Sequence, residues 1–207
     1  MRTPLLIALA LLFATASLAH AQGRAYRSVD FGDSLEVVTN KVLDDLHFMN
    51  GLGNPARADT SFPEQLLHRN RYVLVDIAGT RYRVYFDFFD DKLFRVSFFT
   101  HRPHTANYFD TLVSAERDAL VNVITSARGA PTSTTRLSFL DMQTGFVRWS
   151  HVWSPNADGT EHFIGIGEWQ HTYFAAMRIQ WAWLAGLYEA ALQRAADEDE
   201  QDAVGDF

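Results

Sequence analysis

The amino-acid sequence predicts an α+β fold: antiparallel sheet of about six to seven strands in two β-rich halves, packed against two main helices, with a short helix at the C-terminus. Three observations predict it. The stretch "RYVLVDIAGTRYRVYFDFFDDKLFRVSFFT" alternates apolar and polar positions through three runs, with turns near Gly79-Thr80 and Asp90-Asp91. A second stretch, from "STTRLSFLDMQTGFVRWSHVWS" through "EHFIGIGEWQ" to "TYFAAMRIQWAW", repeats the theme around the polar loop "PNADGT". Helical spacing is confined to a segment before each stretch and one at the end.

The first segment, "MRTPLLIALALLFATASLAHAQG", has the order of a secretory signal peptide. Arg2 precedes an apolar run from Leu5 to Ala14, and Ala19-His20-Ala21 supplies the small residues a signal peptidase accepts. Cleavage is expected after Ala21, giving a signal peptide over 1–21, a single domain over 22–196 and a disordered acidic tail over 197–207. The chain has no cysteine. A lipid anchor on cysteine and disulfide stapling are therefore excluded, so the core alone must stabilise the domain. The expected location is the periplasm or outside of the cell.

The formal charge of −7 becomes −8 once Arg2 departs, and six of those charges lie at Asp197, Glu198, Asp199, Glu200, Asp202 and Asp206. The remaining body is nearly neutral and has no basic run. That argues against nucleic acid, whose phosphates need clustered Lys and Arg, and no transmembrane segment is expected in the mature chain.

Asp33 and Glu36 have the spacing of a capping box for a first helix that ends near Phe48, with Leu35, Val38, Val42 and Leu46 on one side and Leu43 widening the stripe. The Gly-, Pro- and Asn-rich "NGLGNPARADTS" then reads as a linker. In the first β-rich half Tyr82, Val84, Phe86 and Phe88 share one face. The opposite face, with Arg81, Arg83, Tyr85 and Asp87, is expected to be at least partly wet. A second helix follows, with Thr105 as cap, a break near Ser114, and Phe109, Leu112, Val113, Leu120, Val123, Ile124 and Ala127 inward. Gly129 and Pro131 end it. In "MRIQWAW", Met177, Ile179, Trp181 and Trp183 alternate onto one face, which packs in the core, lines a pocket or meets a partner; helical spacing resumes at Leu184, Leu187, Tyr188 and Leu192.

No catalytic residues are assigned. The serines lack a Gly-x-Ser-x-Gly setting, and "GIG" at 165–167 lies within a strand instead of a phosphate-binding loop, so no cofactor is expected. "HRPHT" places His101 and His104 close enough to be weak metal-ligand candidates, although Pro103 stands between them. His151 and His162 become neighbours only if the intervening hairpin has the right register. Trp149, Trp153, Trp169, Trp181, Trp183 and Glu168 are the candidates for contacting a ligand or partner, the aromatics for their apolar area and Glu168 as the acid of an otherwise apolar strand.

The phrase "FGDSLEVV" at 31–38 resembles the Phe-Gly-x-Ser-x-Glu-x-Val helix opening of small periplasmic α+β proteins, distantly including the small lipoprotein of the outer-membrane β-barrel assembly machinery. "DDKLFRVSF" and "ITSARGAP" are similar to later phrases in those proteins. The resemblance covers about a third of the mature chain, and the lipid-attachment cysteine of the lipoprotein is absent here. It implies a non-enzymatic envelope module working through another envelope protein. The alternatives are a carrier of a small apolar or aromatic ligand, and a hydrolase of unrecognised type. The oligomeric state is left open.

Overall fold

A computed structural model describes residues 23–44 and 72–205, with side chains to Asp197. The segment expected to be a signal peptide, Leu46 and the expected "NGLGNPARADTS" linker lie outside the described residues. The chain runs β1 (Arg24–Tyr26), β2 (Val29–Asp30), α1 (Leu35–Asp44), β3 (Val73–Ile77), β4 (Thr80–Phe89), β5 (Lys92–Thr100) and β6 (His104–Thr105). A 3-10 turn (Ala106–Tyr108) and a π-helical turn (Phe109–Val113) lead into α2 (Ser114–Arg128). Then follow β7 (Ser133–Thr134), a 3-10 turn (Phe139–Asp141), β8 (Val147–Trp153), β9 (Thr160–Trp169), β10 (Thr172–Trp181) and α3 (Ala182–Gly205). No described helix is long and apolar enough to cross a membrane.

The main sheet is antiparallel throughout its ladders, in the order β3-β4-β5-β10-β9-β8-β7, with β6 pairing the start of β10. Each half contributes a three-stranded meander, and the halves join where β5 meets β10 (Phe98 opposite Met177, Val96 opposite Ile179). Two-residue turns close the long hairpins. Asp90-Asp91 and Gln170-His171 all take positive φ, the geometry whose twist suits paired strands.

One sheet face carries the main core. Tyr82, Val84, Val96, Phe98, Ile164 and Met177 cluster there with Val38 and Val42 of α1, Leu120 and Ile124 of α2, and Leu184 and Ala185 of α3. The two glycines of "GIG" face the other way, and they are there for space. A Cβ on Gly167 would overlap the ring of Phe174 across the ladder, and one on Gly165 would overlap the Arg148 carbonyl. The motif belongs to strand packing.

That other face, expected to be at least partly wet, is exposed at Arg81 but buried along most of its length. Arg83, Asp87, Ser97 and Gln180 are 5%, 9%, 2% and 6% exposed, and Tyr85 is fully buried. Two rows cross four strands: Tyr85–Ser97–Arg178–Phe163 and Asp87–Arg95–Gln180–Glu161. Gln180 donates to Glu161 at 2.8 Å, and the Arg178 guanidinium lies 4.8 Å from the centre of the Trp149 ring. Burial lifts the Asp87 carboxyl to about 6, against the opposing pull of Arg95 and Arg178. Burial also lowers Arg178 to about 10, helped by the like charge of Arg95. Alternation identifies which side chains share a face; it carries no information about what covers that face.

Several local expectations are corrected. The first helix is capped by Ser34, whose Oγ accepts from the Val37 amide at 3.3 Å, while Asp33 accepts from Lys41 and from the Asp30 amide. Leu43 of that helix is 45% exposed. Thr105 makes no side-chain cap, and the expected break at Ser114 is the passage from π-helical to α-helical geometry. Phe109, Val113, Leu120 and Ile124 point inward as expected, but Leu112, Val123 and Ala127 are exposed. The buried stripe runs through both segments but is narrower than the sequence spacing suggests, so the residues flanking it meet solvent. The last strand ends at Trp181, so Trp183 sits in the first turn of α3, 45% exposed, and Leu187 and Leu192 are exposed as well. The α3 helix continues into the acidic run as far as Gly205.

Candidate functional site

Two concave features lie at opposite edges of the sheet halves. The first is built by the loop between β7 and β8. With only two residues, β7 leaves the edge early, and the chain turns at Phe139–Asp141. Asp141 accepts from the amide and hydroxyl of Ser138 (2.6 and 2.7 Å), hydrogen bonds that hold its carboxyl below the usual range. Arg148 donates to the Asp141 carbonyl, and the Phe139 ring packs on Phe109 and Tyr173. These contacts fix the loop with its apolar residues outward. Leu140 is 90% exposed, Phe146 60% and Phe139 43%. Between the loop and β8 lies a groove of about 580 Å³, lined by Leu137, Leu140, Val147 and Trp149 and bordered by Arg136 and Arg148.

The second feature is a polar pocket of about 630 Å³ where the ends of β4 and β5 meet β6 and the start of α2. Glu116, in the first turn of α2, is its centre. One carboxylate oxygen lies 3.0 Å from His104 Nε2, and the other accepts from the Thr100 hydroxyl at 3.0 Å. Arg83 donates to His101 Nδ1 at 3.1 Å, which places that ring's proton on Nε2, and also to the His101 carbonyl. At the rim, Arg81 grips Asp76 through two hydrogen bonds of 2.9 and 3.1 Å.

The sequence-derived candidates separate between these features and the core. Trp149 lines the groove, and Trp169 packs in the same aromatic cluster, with Tyr85, Phe99 and Phe174. Trp153 is buried and donates from Nε1 to the Gly129 carbonyl, tying β8 to the end of α2. Trp181 is buried in the main core, and its ring centre lies 5.1 Å from that of the half-exposed Trp183. Glu168 is buried and accepts from the His171 amide at 2.7 Å, which secures the β9–β10 turn. His101 and His104 both line the polar pocket, His101 against Arg83 and His104 against Glu116, and no group of three or more metal-ligating side chains forms among the described residues. The bulge in β8 sets His151 opposite Ile164 and His162 opposite Trp153, which separates those two histidines.

Glu116, Thr100, Arg102, Leu140 and Phe146 were not anticipated. "HRPHT" marks the pocket, but nothing local in the sequence pairs His104 with a carboxylate twelve residues later. The exposed phenylalanines and leucine could have been noticed in "LSFLDMQTGF", where apolar residues fit neither helical nor strand spacing.

The chain gives no significant match to any protein-family model, to any curated protein or to any solved structure.

Proposed function

We propose that the chain is an exported, non-enzymatic binding module of the cell envelope, and that it engages a partner protein through the groove between β8 and the loop preceding it. The observation that carries this reading is Leu140, 90% exposed on a loop held in place by Asp141 and Phe139, with Phe146 also outward. A loop braced by buried rings and a capping box does not present leucine and phenylalanine to water for lack of alternatives, and exposed apolar groups concentrated this way mark interaction surfaces. The groove has two arginines, Arg136 and Arg148, against one carboxylate, Asp141. The occupant that complements it is an extended segment of another protein with apolar residues flanked by acidic ones. Export is supported by Arg2, the apolar run and Ala19-His20-Ala21.

The test is site-specific photo-crosslinking in producing cells. A crosslinker at position 140 should capture one protein through an acidic segment, while the same group at Asp118, exposed on α2, should not. Equal capture from both positions, or none from 140, would refute the proposed surface.

A further inference from the structure

The polar pocket has two carboxylates in its lining, and both are already satisfied from within. Each oxygen of Asp76 accepts from Arg81, and each oxygen of Glu116 has its own partner, Thr100 or His104. What remains is arginine donors and one imidazole nitrogen. Arg102 is exposed at the pocket and pairs with no carboxylate among the described residues. Arg81 uses Nε and one terminal nitrogen on Asp76, leaving its other terminal nitrogen available, and His104 retains Nδ1 because Glu116 engages Nε2.

A volume of about 630 Å³ falls within the range of small-molecule sites. The pocket is also held in shape from behind. Thr100 is 2% exposed and sits close to the Ala175 carbonyl of the adjoining strand, and the buried Tyr82 hydroxyl donates to the Glu116 carbonyl. His104 is therefore fixed through Glu116 to two strands of the sheet and does not swing freely at a loop tip.

We infer that this pocket is a receptor for a small oxyanion, a carboxylate or phosphate group seated on the Arg102 guanidinium with Arg81 and His104 lining the same cavity. The planar fork of arginine donates two parallel hydrogen bonds to either group, which a lysine ammonium cannot reproduce. Because His104 Nε2 faces the Glu116 carboxylate, its Nδ1 is left as an acceptor, and a hydroxyl beside the anionic group on the ligand would complete the contacts. The site stands apart from the groove, and neither proposal depends on the other.

Titration of the full chain with inorganic phosphate, with succinate and with glycerol, followed by NMR of the histidine ring protons, tests the inference. Saturable shifts of the His104 resonances are expected with phosphate or succinate below about 50 mM, and none with glycerol. Preference for one anion identifies which oxyanion the site takes. Arg102 is exposed and pairs with no carboxylate among the described residues, so R102Q should keep the wild-type melting temperature while weakening anion binding about tenfold; R102K should fall between, having charge without the fork. H104F, followed through the ring protons of His101 in the same pocket, should also weaken phosphate binding, and it checks the second contact separately. Absence of saturation with both anions, or equal affinity in wild type and R102Q, would overturn the inference.

Discussion

Replacing Trp181 by alanine should cost about 3–5 kcal/mol, the range for emptying a large aromatic site in a core. The indole is 5% exposed at the end of β10, and its Nε1 edge lies so close to Gly159 that a Cβ there would sit 3.3 Å from it. Trp183→Ala should cost far less, about 1 kcal/mol, because that ring is half in solvent and loses mainly its contact with Trp181. Gln180→Ala is a third case. It removes the 2.8 Å hydrogen bond to Glu161 on a buried face, so a loss of about 1–2 kcal/mol is expected where a wet face would give almost none. Urea unfolding of the three variants, compared by midpoint and slope, checks the order. A Trp181→Ala variant as stable as wild type would remove that residue from the core.

The second large effect is a cancellation in the pH dependence of stability. Asp87 has its carboxyl raised to about 6 from 3.8, chiefly by burial, so between those two values the native state holds a proton that the unfolded chain has released. Its stabilising contribution is complete below the unfolded value, amounts to about 3 kcal/mol, and is lost as pH rises through 6. His162 behaves oppositely. Burial lowers it to about 3 from 6.5, aided by Arg128, so the unfolded chain binds a proton that the native state refuses. That contribution, about 5 kcal/mol, is complete above pH 6.5 and is lost as pH falls toward 3. Between about pH 4 and 6 the two slopes, each about 1.4 kcal/mol per pH unit, oppose one another. Relative to wild type, Asp87→Asn should therefore gain stability with rising pH across that window, and His162→Phe should lose it. Unfolding free energies at pH 4, 5 and 6 give both differences, and a D87N slope equal to that of wild type would contradict the burial argument.

These two groups also show where sequence reading stops. Both were visible as strand residues, and alternation correctly put Asp87 opposite Tyr82, Val84 and Phe86. The antiparallel sheet, its two halves and the tight Asp90-Asp91 turn were legible because period-two patterning and turn chemistry are local. Burial of the Asp87 face was not, since it depends on side chains such as Arg178 and Trp149 arriving from strands sixty and more residues later. The polar pocket was half legible for the same reason. His101 and His104 were marked by their spacing, but Glu116, which pairs with His104, follows the π turn on a separate helix twelve residues on. Trp183 failed at a boundary. The alternation of "MRIQWAW" continues through it, and the chain becomes helical one residue earlier than the pattern ends.

The partner surface is the central claim, and a direct titration tests it most closely. The acidic segment recovered by crosslinking at position 140 would be synthesised as a peptide and titrated onto the purified chain. Binding should be weakened about tenfold or more by L140D, by loss of apolar burial, and by R136E, by charge reversal. R102Q, at the other pocket, should leave it unchanged. Equal affinity for wild type, L140D and R136E would contradict a partner site in the groove beside β8.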